Sequence, residues 1–188
     1  TADDVMNYGA EKVVIATGSH WATDGTNSIT HEATPGIDAS LPYIVTPEQL
    51  MMEGKEIGDK VVIVEMDGYF TGISMAEYLV DQGKDVTIIT GLGGIGPYTH
   101  FTLEAPNLHR MMHEKGIKDI TSSWVDSVAE GELSIFNLYR DGYKRYAEPK
   151  PGQMPRDVGT HTDLVKFDSL VVATGRIANN SLYRELRA

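Results

Sequence analysis

Lys60 to Thr90 reads KVVIVEMDGYFTGISMAEYLVDQGKDVTIIT, and this stretch decides the fold. Val61 to Val64 form a short β-branched run, the pattern of a strand buried on both faces of a parallel sheet. From Tyr69 the period changes. Ile73, Ala76, Leu79 and Val80 fall on one helical face, and Gly83 is a suitable helix stop. Asp85 to Thr90 is again a strand. A strand–helix–strand run of roughly thirty residues is the signature of a right-handed βαβ unit. The fold class is therefore α/β: a Rossmann-like, three-layer βαβ nucleotide-binding domain.

Outward from this unit the punctuation is regular. Thr46-Pro47-Glu48-Gln49 marks a helix start, with threonine as cap, proline in the first turn and Gln49 at the capping-box position. Val45 and Leu50 have the spacing of a hydrophobic staple. Gly91 to Pro97 is a Gly-rich loop, followed by a helix from about Leu103 to Lys115 with Pro106 in its first turn. Ile117 to Val128 and Glu132 to Tyr139 read as antiparallel strands joined at Glu130-Gly131, and Asp141-Gly142 turns into a further strand, Tyr143 to Tyr146. Residues 148–160 read as a Pro/Gly-rich exposed loop. Near the start, Lys12 to Thr17 (KVVIAT) reads as another strand buried on both faces. A turn-rich connection from Ser19 to Pro42 follows it, and Phe167 to Thr174 (FDSLVVAT) is the last strand.

The 188 residues are 41% apolar and 23% charged, an ordinary soluble composition. A formal charge of −11 argues against nucleic acid and anionic membranes, since nothing replaces the counterions around phosphates. Cysteine is absent, so the chain contains no disulfide, thiolate nucleophile, iron–sulfur ligand or Cys-based zinc site. No apolar run approaches the ~20 residues of a membrane span, and no signal peptide opens the chain. The expected location is cytoplasmic. The abrupt entry into a strand suggests a domain cut from a longer protein.

The two ends echo each other. Val14-Ile15-Ala16-Thr17-Gly18 and Val171-Val172-Ala173-Thr174-Gly175 are both strands that end in Ala-Thr-Gly. A small residue followed by glycine lets the backbone turn closely beneath a bound dinucleotide. On this reading the two strands lie side by side in one parallel sheet while the middle of the chain folds as a separate lobe. Ala16, Thr17, Gly18, Thr174, Gly175 and Arg176 are then the candidate cofactor-binding residues.

At these residues the chain resembles the two-dinucleotide flavoproteins, in which a nicotinamide-type domain interrupts a flavin domain. A closer resemblance, covering nearly the whole chain, is to the trimethylamine, dimethylamine and histamine dehydrogenases. It rests on GAEKVVIATGSHW, TDGTNS with PGIDASLP and TPEQLM, HFTLEAPNLHRMMHE, MPRD and FDSLVVATGR. The resemblance implies a C-terminal nucleotide region joined to an FMN-binding barrel carrying a 4Fe-4S cluster. It implies oxidative N-demethylation of an amine, with electrons passed to an electron-transfer flavoprotein. ADP would sit where relatives hold FAD, and the full-length protein would be a homo-oligomer. Residues 1–43 and 161–188 would be partial FAD/ADP-type segments and 44–160 the inserted NAD(P)-binding-like domain. The chain itself would catalyse nothing. The competing reading is the FAD/NAD(P)H-binding half of a 2,4-dienoyl-CoA or enoate reductase-like enzyme.

A working dinucleotide fingerprint places G-x-G-x-x-G after the first strand, so that pyrophosphate meets bare backbone at a helix start. Here the sequence is Glu65-Met66-Asp67-Gly68-Tyr69-Phe70-Thr71-Gly72, with two carboxylates on the phosphate approach and only Gly72 well placed. Thr90 stands where an acid would hold a ribose. The nicotinamide site reads as degenerate. Gly91-Leu92-Gly93-Gly94-Ile95-Gly96 satisfies the same pattern, but Pro97 to His100 separates it from the next helix, so it reads as a surface turn. His109 and His113 share a helix face without a third ligand and read as solvated. His20-Trp21 reads as packing. Arg176 departs from the acid that often follows this glycine in flavoproteins, and would suit a phosphate of ADP.

Overall fold

The structure, a computed structural model, describes residues 1–142 and 162–187. The expected strand Tyr143 to Tyr146 and loop 148–160 lie outside these residues. The centre is a five-stranded sheet in the order β2-β9-β3-β4-β5, comprising β2 (Ile44–Val45), β9 (Ser169–Ala173), β3 (Lys60–Glu65), β4 (Asp85–Thr90) and β5 (Lys118–Ile120). Every pairing in it is parallel, with Val61 opposite Val86 and Ile63 opposite Ile88. The βαβ reading of Lys60 to Thr90 is therefore correct, with α3 (Thr71–Val80) as the crossover helix.

The unbroken apolar runs follow from burial on both faces. Val61 and Ile63 point toward α3 and α4 (Ala105–Lys115), where Ile73, Ala76, Leu79 and Met112 complete one core. Val62, Val64, Leu170 and Val172 face the other way, against Trp124, Leu133, Ile135 and Phe136. That second layer is an antiparallel sheet of β6 (Ser123–Ala129), β7 (Glu132–Asn137) and β8 (Asp163–Lys166). Helices, parallel sheet and antiparallel sheet make three layers.

Helix α2 (Pro47–Met51) forms where the capping signals place it. Thr46 Oγ1 accepts the Gln49 amide at 3.2 Å, and Gln49 Oε1 accepts the Thr46 amide at 3.0 Å. Thr46→Ala removes one half of this box and should cost about 1 kcal/mol in a denaturant-unfolding measurement.

Two expectations need correction. Ile117 to Val128 is two strands, because the chain breaks at Ser122, whose φ is +50°. Lys118–Ile120 joins the parallel sheet as β5, and only Ser123–Ala129 pairs with β7. The second correction concerns Lys12 to Thr17, which pairs with no strand among the described residues and leaves Val14 91% exposed. The neighbour expected for it, β9, has β2 on one side and β3 on the other, so no edge is left to receive it. The strand that ends at Gly175 thus belongs to the same sheet as the βαβ unit, not to a sheet shared with Lys12 to Thr17. What joins the two ends is a two-stranded antiparallel ribbon of β1 (Ser19–Trp21) and β10 (Arg176–Ala178). Flanking it, α1 (Ala2–Tyr8) and α5 (Ser181–Arg187) bury no residue.

Candidate functional site

In an open parallel sheet the ligand crevice lies beyond the carboxyl ends of the strands, where the winding reverses. Here β4 and β5 follow β3 on one side and β9 lies on the other, so the reversal falls between β3 and β9. A cleft of about 490 Å³ opens there, bordered by Met66 and Asp67 after β3, Leu92 after β4, and Thr174, Gly175 and Arg176 after β9.

The chain's own backbone crosses this crevice. The Ser28 amide donates to the Thr174 carbonyl at 3.2 Å, the Ser28 hydroxyl to the Met66 carbonyl at 3.1 Å, and the Ala22 amide to the Gly175 carbonyl at 2.9 Å. A Cβ on Gly175 would overlap the Thr26 carbonyl oxygen. Glycine is required at this Ala-Thr-Gly because residues 26–28 lie against it. The crossing segment is held by short-range polar turns. Asp24 Oδ1 accepts the Thr26 amide at 2.9 Å and its hydroxyl at 2.6 Å, and Asn27 Oδ1 accepts the Ile29 amide at 2.8 Å. The Thr26 hydroxyl holds the Asp24 carboxyl below the usual carboxylate range.

Arg176 lies at the rim with its guanidinium stacked 4.2 Å above the Trp21 ring. Trp21 is fixed in turn, since its amide donates to Glu48 Oε1 at 3.0 Å. Ala16, Thr17 and Gly18 lie elsewhere. In the β1–β10 ribbon Ser19 faces Ala178 and Trp21 faces Arg176, so Gly18 and Gly175 stand at opposite ends. Thr17 and Gly18 bond with Asn179: its side-chain amide donates to the Thr17 carbonyl at 3.1 Å and its backbone amide to the Gly18 carbonyl at 2.9 Å. A separate shallow depression of about 240 Å³ lies there. The six residues form two groups, not one cradle.

At the end of β3, Glu65 is 2% exposed. Its Oε2 accepts the Gly68 amide at 2.9 Å, and Oε1 has no partner. Burial pushes its carboxyl above the ordinary glutamate value, against the smaller opposing pull of the Gly68 amide and the Thr90 hydroxyl. The second Gly-rich loop runs into a 3₁₀ turn, Pro97–His100, not into a helix. It is more than a surface turn, for Ile95 is buried in the helix-side core. His109 and His113 are exposed, and no cluster among the described residues could hold a metal.

Sequence reasoning missed the crossing segment and Lys55, whose ammonium donates to the carbonyls of Ala39, Leu41 and Ile44 in the connection that leads to β2. The turn-forming run Asp24-Gly25-Thr26-Asn27-Ser28 was a signal for a compact loop, though not for where it would lie. Lys55 carried no signal at all.

Comparison with known proteins places this geometry. The model of the OYE-like second alpha/beta domain matches residues 45–174, from β2 to the end of β9. The chain belongs to this family. Among curated proteins, the dimethylamine dehydrogenase of Hyphomicrobium sp. (strain x) is 43% identical over 188 residues, covering 100% of this chain and 25% of that protein. Among solved structures, the 6-hydroxypseudooxynicotine amine oxidase of Pseudomonas geniculata N1 superposes with a TM-score of 0.79 at 26% identity, covering 99% of this chain and 25% of that one. The histamine dehydrogenase of Rhizobium sp. 4-9 gives 0.77 at 26% identity, covering 100% and 26%. The OYE-like domain and its flanks thus span about a quarter of the relatives they match. The resemblance to the amine dehydrogenases is borne out by these relatives, of which the chain corresponds to one α/β portion. Among the described residues no helix is long and apolar enough to cross a membrane.

Proposed function

We propose that this chain is the non-catalytic, nucleotide-type scaffold of an amine dehydrogenase that uses FMN and a 4Fe-4S cluster, and that it reduces no nicotinamide cofactor. The observation that carries this reading is the segment 26–28 lying across the switch-point crevice, bonded to Thr174 and Met66 where a dinucleotide would have to lie. The match along the whole chain to a dimethylamine dehydrogenase supports an amine as the substrate of the complete protein. The chain has no cysteine, so its residues do not fit a cluster, whose ligands must come from elsewhere in the enzyme, as must the FMN barrel. An electron-transfer flavoprotein is the proposed acceptor. Residues 1–43, together with the segment after Gly175, are the proposed contribution to an ADP-type neighbouring domain.

Arg176 is the side chain proposed to meet an ADP phosphate. It is exposed and pre-oriented on Trp21, so little ordering entropy remains to be lost on binding. Arg176→Ala in the complete enzyme should weaken ADP retention by about tenfold or more, the worth of a charge-assisted hydrogen bond, as read by equilibrium dialysis.

The functional reading is tested by anaerobic mixing of the complete enzyme with dimethylamine, NADH and NADPH. The amine should bleach the flavin and the nicotinamides should leave it oxidised. Rapid bleaching by NADH or NADPH, with none by the amine, would instead indicate a reductase of the enoate type.

A further inference from the structure

The last residue of β3 carries a group that the scaffold reading does not use. Helix α3 starts without a side-chain cap: Phe70 occupies that position and makes no capping hydrogen bond. The first-turn amides therefore lack the usual acceptor. Into this place projects Glu65, 2% exposed, with its Oε1 unpartnered and its Oε2 on the Gly68 amide at 2.9 Å. The side chain lies tight against the first turn, for a Cβ on Gly72 would come within 3.0 Å of Glu65 Cγ. An oxygen-bearing group at the end of the first strand, beneath an uncapped helix start, stands where phosphate oxygens bind in nucleotide folds.

We propose that the start of α3 is an oxyanion niche whose occupant is the chain's own Glu65 carboxyl group, and that Glu65 denies this one position to a phosphate group. This rests on the reading that the domain uses no nicotinamide cofactor. It goes beyond that reading by assigning the closure of the phosphate position, beside the crossing of the crevice by residues 26–28, to one side chain and the niche to one class of ligand, the tetrahedral oxyanion. Burial makes Glu65 a poor anion, because the site disfavours its charge. The niche is thus filled by volume and held by the Gly68 amide with the Thr90 hydroxyl beside it, and the first-turn amides of α3 stay available to an ion that replaces the side chain.

The test is thermal unfolding of the full 188-residue chain, comparing phosphate with chloride at equal ionic strength. Glu65→Ala empties the niche, whereas Glu65→Gln keeps it full. In Glu65→Ala, phosphate at tenfold its dissociation constant should raise Tm by about 3 °C beyond its general salt effect. The natural chain and Glu65→Gln should show the general effect alone. Should Glu65→Ala fail to fold in chloride, the same titration should restore a cooperative melt. Equal phosphate responses in all three chains, or no recovery of an unfolded Glu65→Ala chain, would overturn the proposal. The two failures are distinguishable: an unresponsive Glu65→Ala variant would remove the niche and leave the scaffold reading standing, whereas NADH binding to the natural chain would remove both.

Discussion

Gly175→Val should lower the stability of the chain by about 3 kcal/mol, the upper range for forcing atoms into a packed interior. Gly175 is buried between β9 and β10, and its carbonyl accepts the Ala22 amide at 2.9 Å. A side chain there meets the Thr26 carbonyl oxygen and the Ser28 amide nitrogen, the latter 3.4 Å from an added Cβ. These are backbone atoms, so no rotamer change relieves the contact. The crossing segment must lift, and its bonds to Thr174 and Met66 must go with it. Gly175→Ala should show a smaller loss in the same direction. The check is the urea midpoint with an unchanged slope. If Gly175 were bare only to admit a ligand, the valine variant would be as stable as the natural chain.

Lys55→Met should cost about 2–3 kcal/mol, since hydrogen bonds to a charged donor are worth more than neutral ones and buried acceptors are expensive to abandon. The Lys55 ammonium donates to three carbonyls, those of Ala39 and Leu41 at 2.8 Å and of Ile44 at 2.7 Å. It ties the long connection to β2, the edge strand next to β9. Methionine keeps the length and apolar stem but supplies no donor. Ala39 retains a bond from Gln49 Nε2 at 3.2 Å, which limits the loss. Thermal melting of Lys55→Met beside Lys55→Arg separates the lost charge from altered packing. A methionine variant no less stable than the arginine variant would refute the clamp.

How much of this was legible depended on range. The βαβ unit was readable because periodicity records burial directly: Val61 and Ile63 face one layer, Val62 and Val64 the other. The Thr46 cap was readable because both bonds close within three residues. Lys12 to Thr17 misled for the complementary reason. Its composition is that of a buried strand, but whether it has neighbours depends on which edges of the sheet are free, and local pattern does not encode that. Ile117 to Val128 misled because the single left-handed residue, Ser122, is not a type that announces a break.

The paired Ala-Thr-Gly endings marked real positions but not their partners. Sequence indicated that Gly175 must be bare. It could not say that a loop about 150 positions earlier was the reason, because that contact is set by the path of residues 22–35 across the sheet. Arg176 and Trp21 meet for the same reason, through the pairing of β1 with β10.

Residues 26–28 wall the crevice between β3 and β9, and calorimetric titration of the chain with NADH tests most directly whether the cleft that remains admits a dinucleotide. No saturable heat is expected up to millimolar ligand, the range of an affinity weaker than about −4 kcal/mol. Stoichiometric binding in the micromolar range would mean that residues 26–28 yield the crevice to a dinucleotide, contradicting the account.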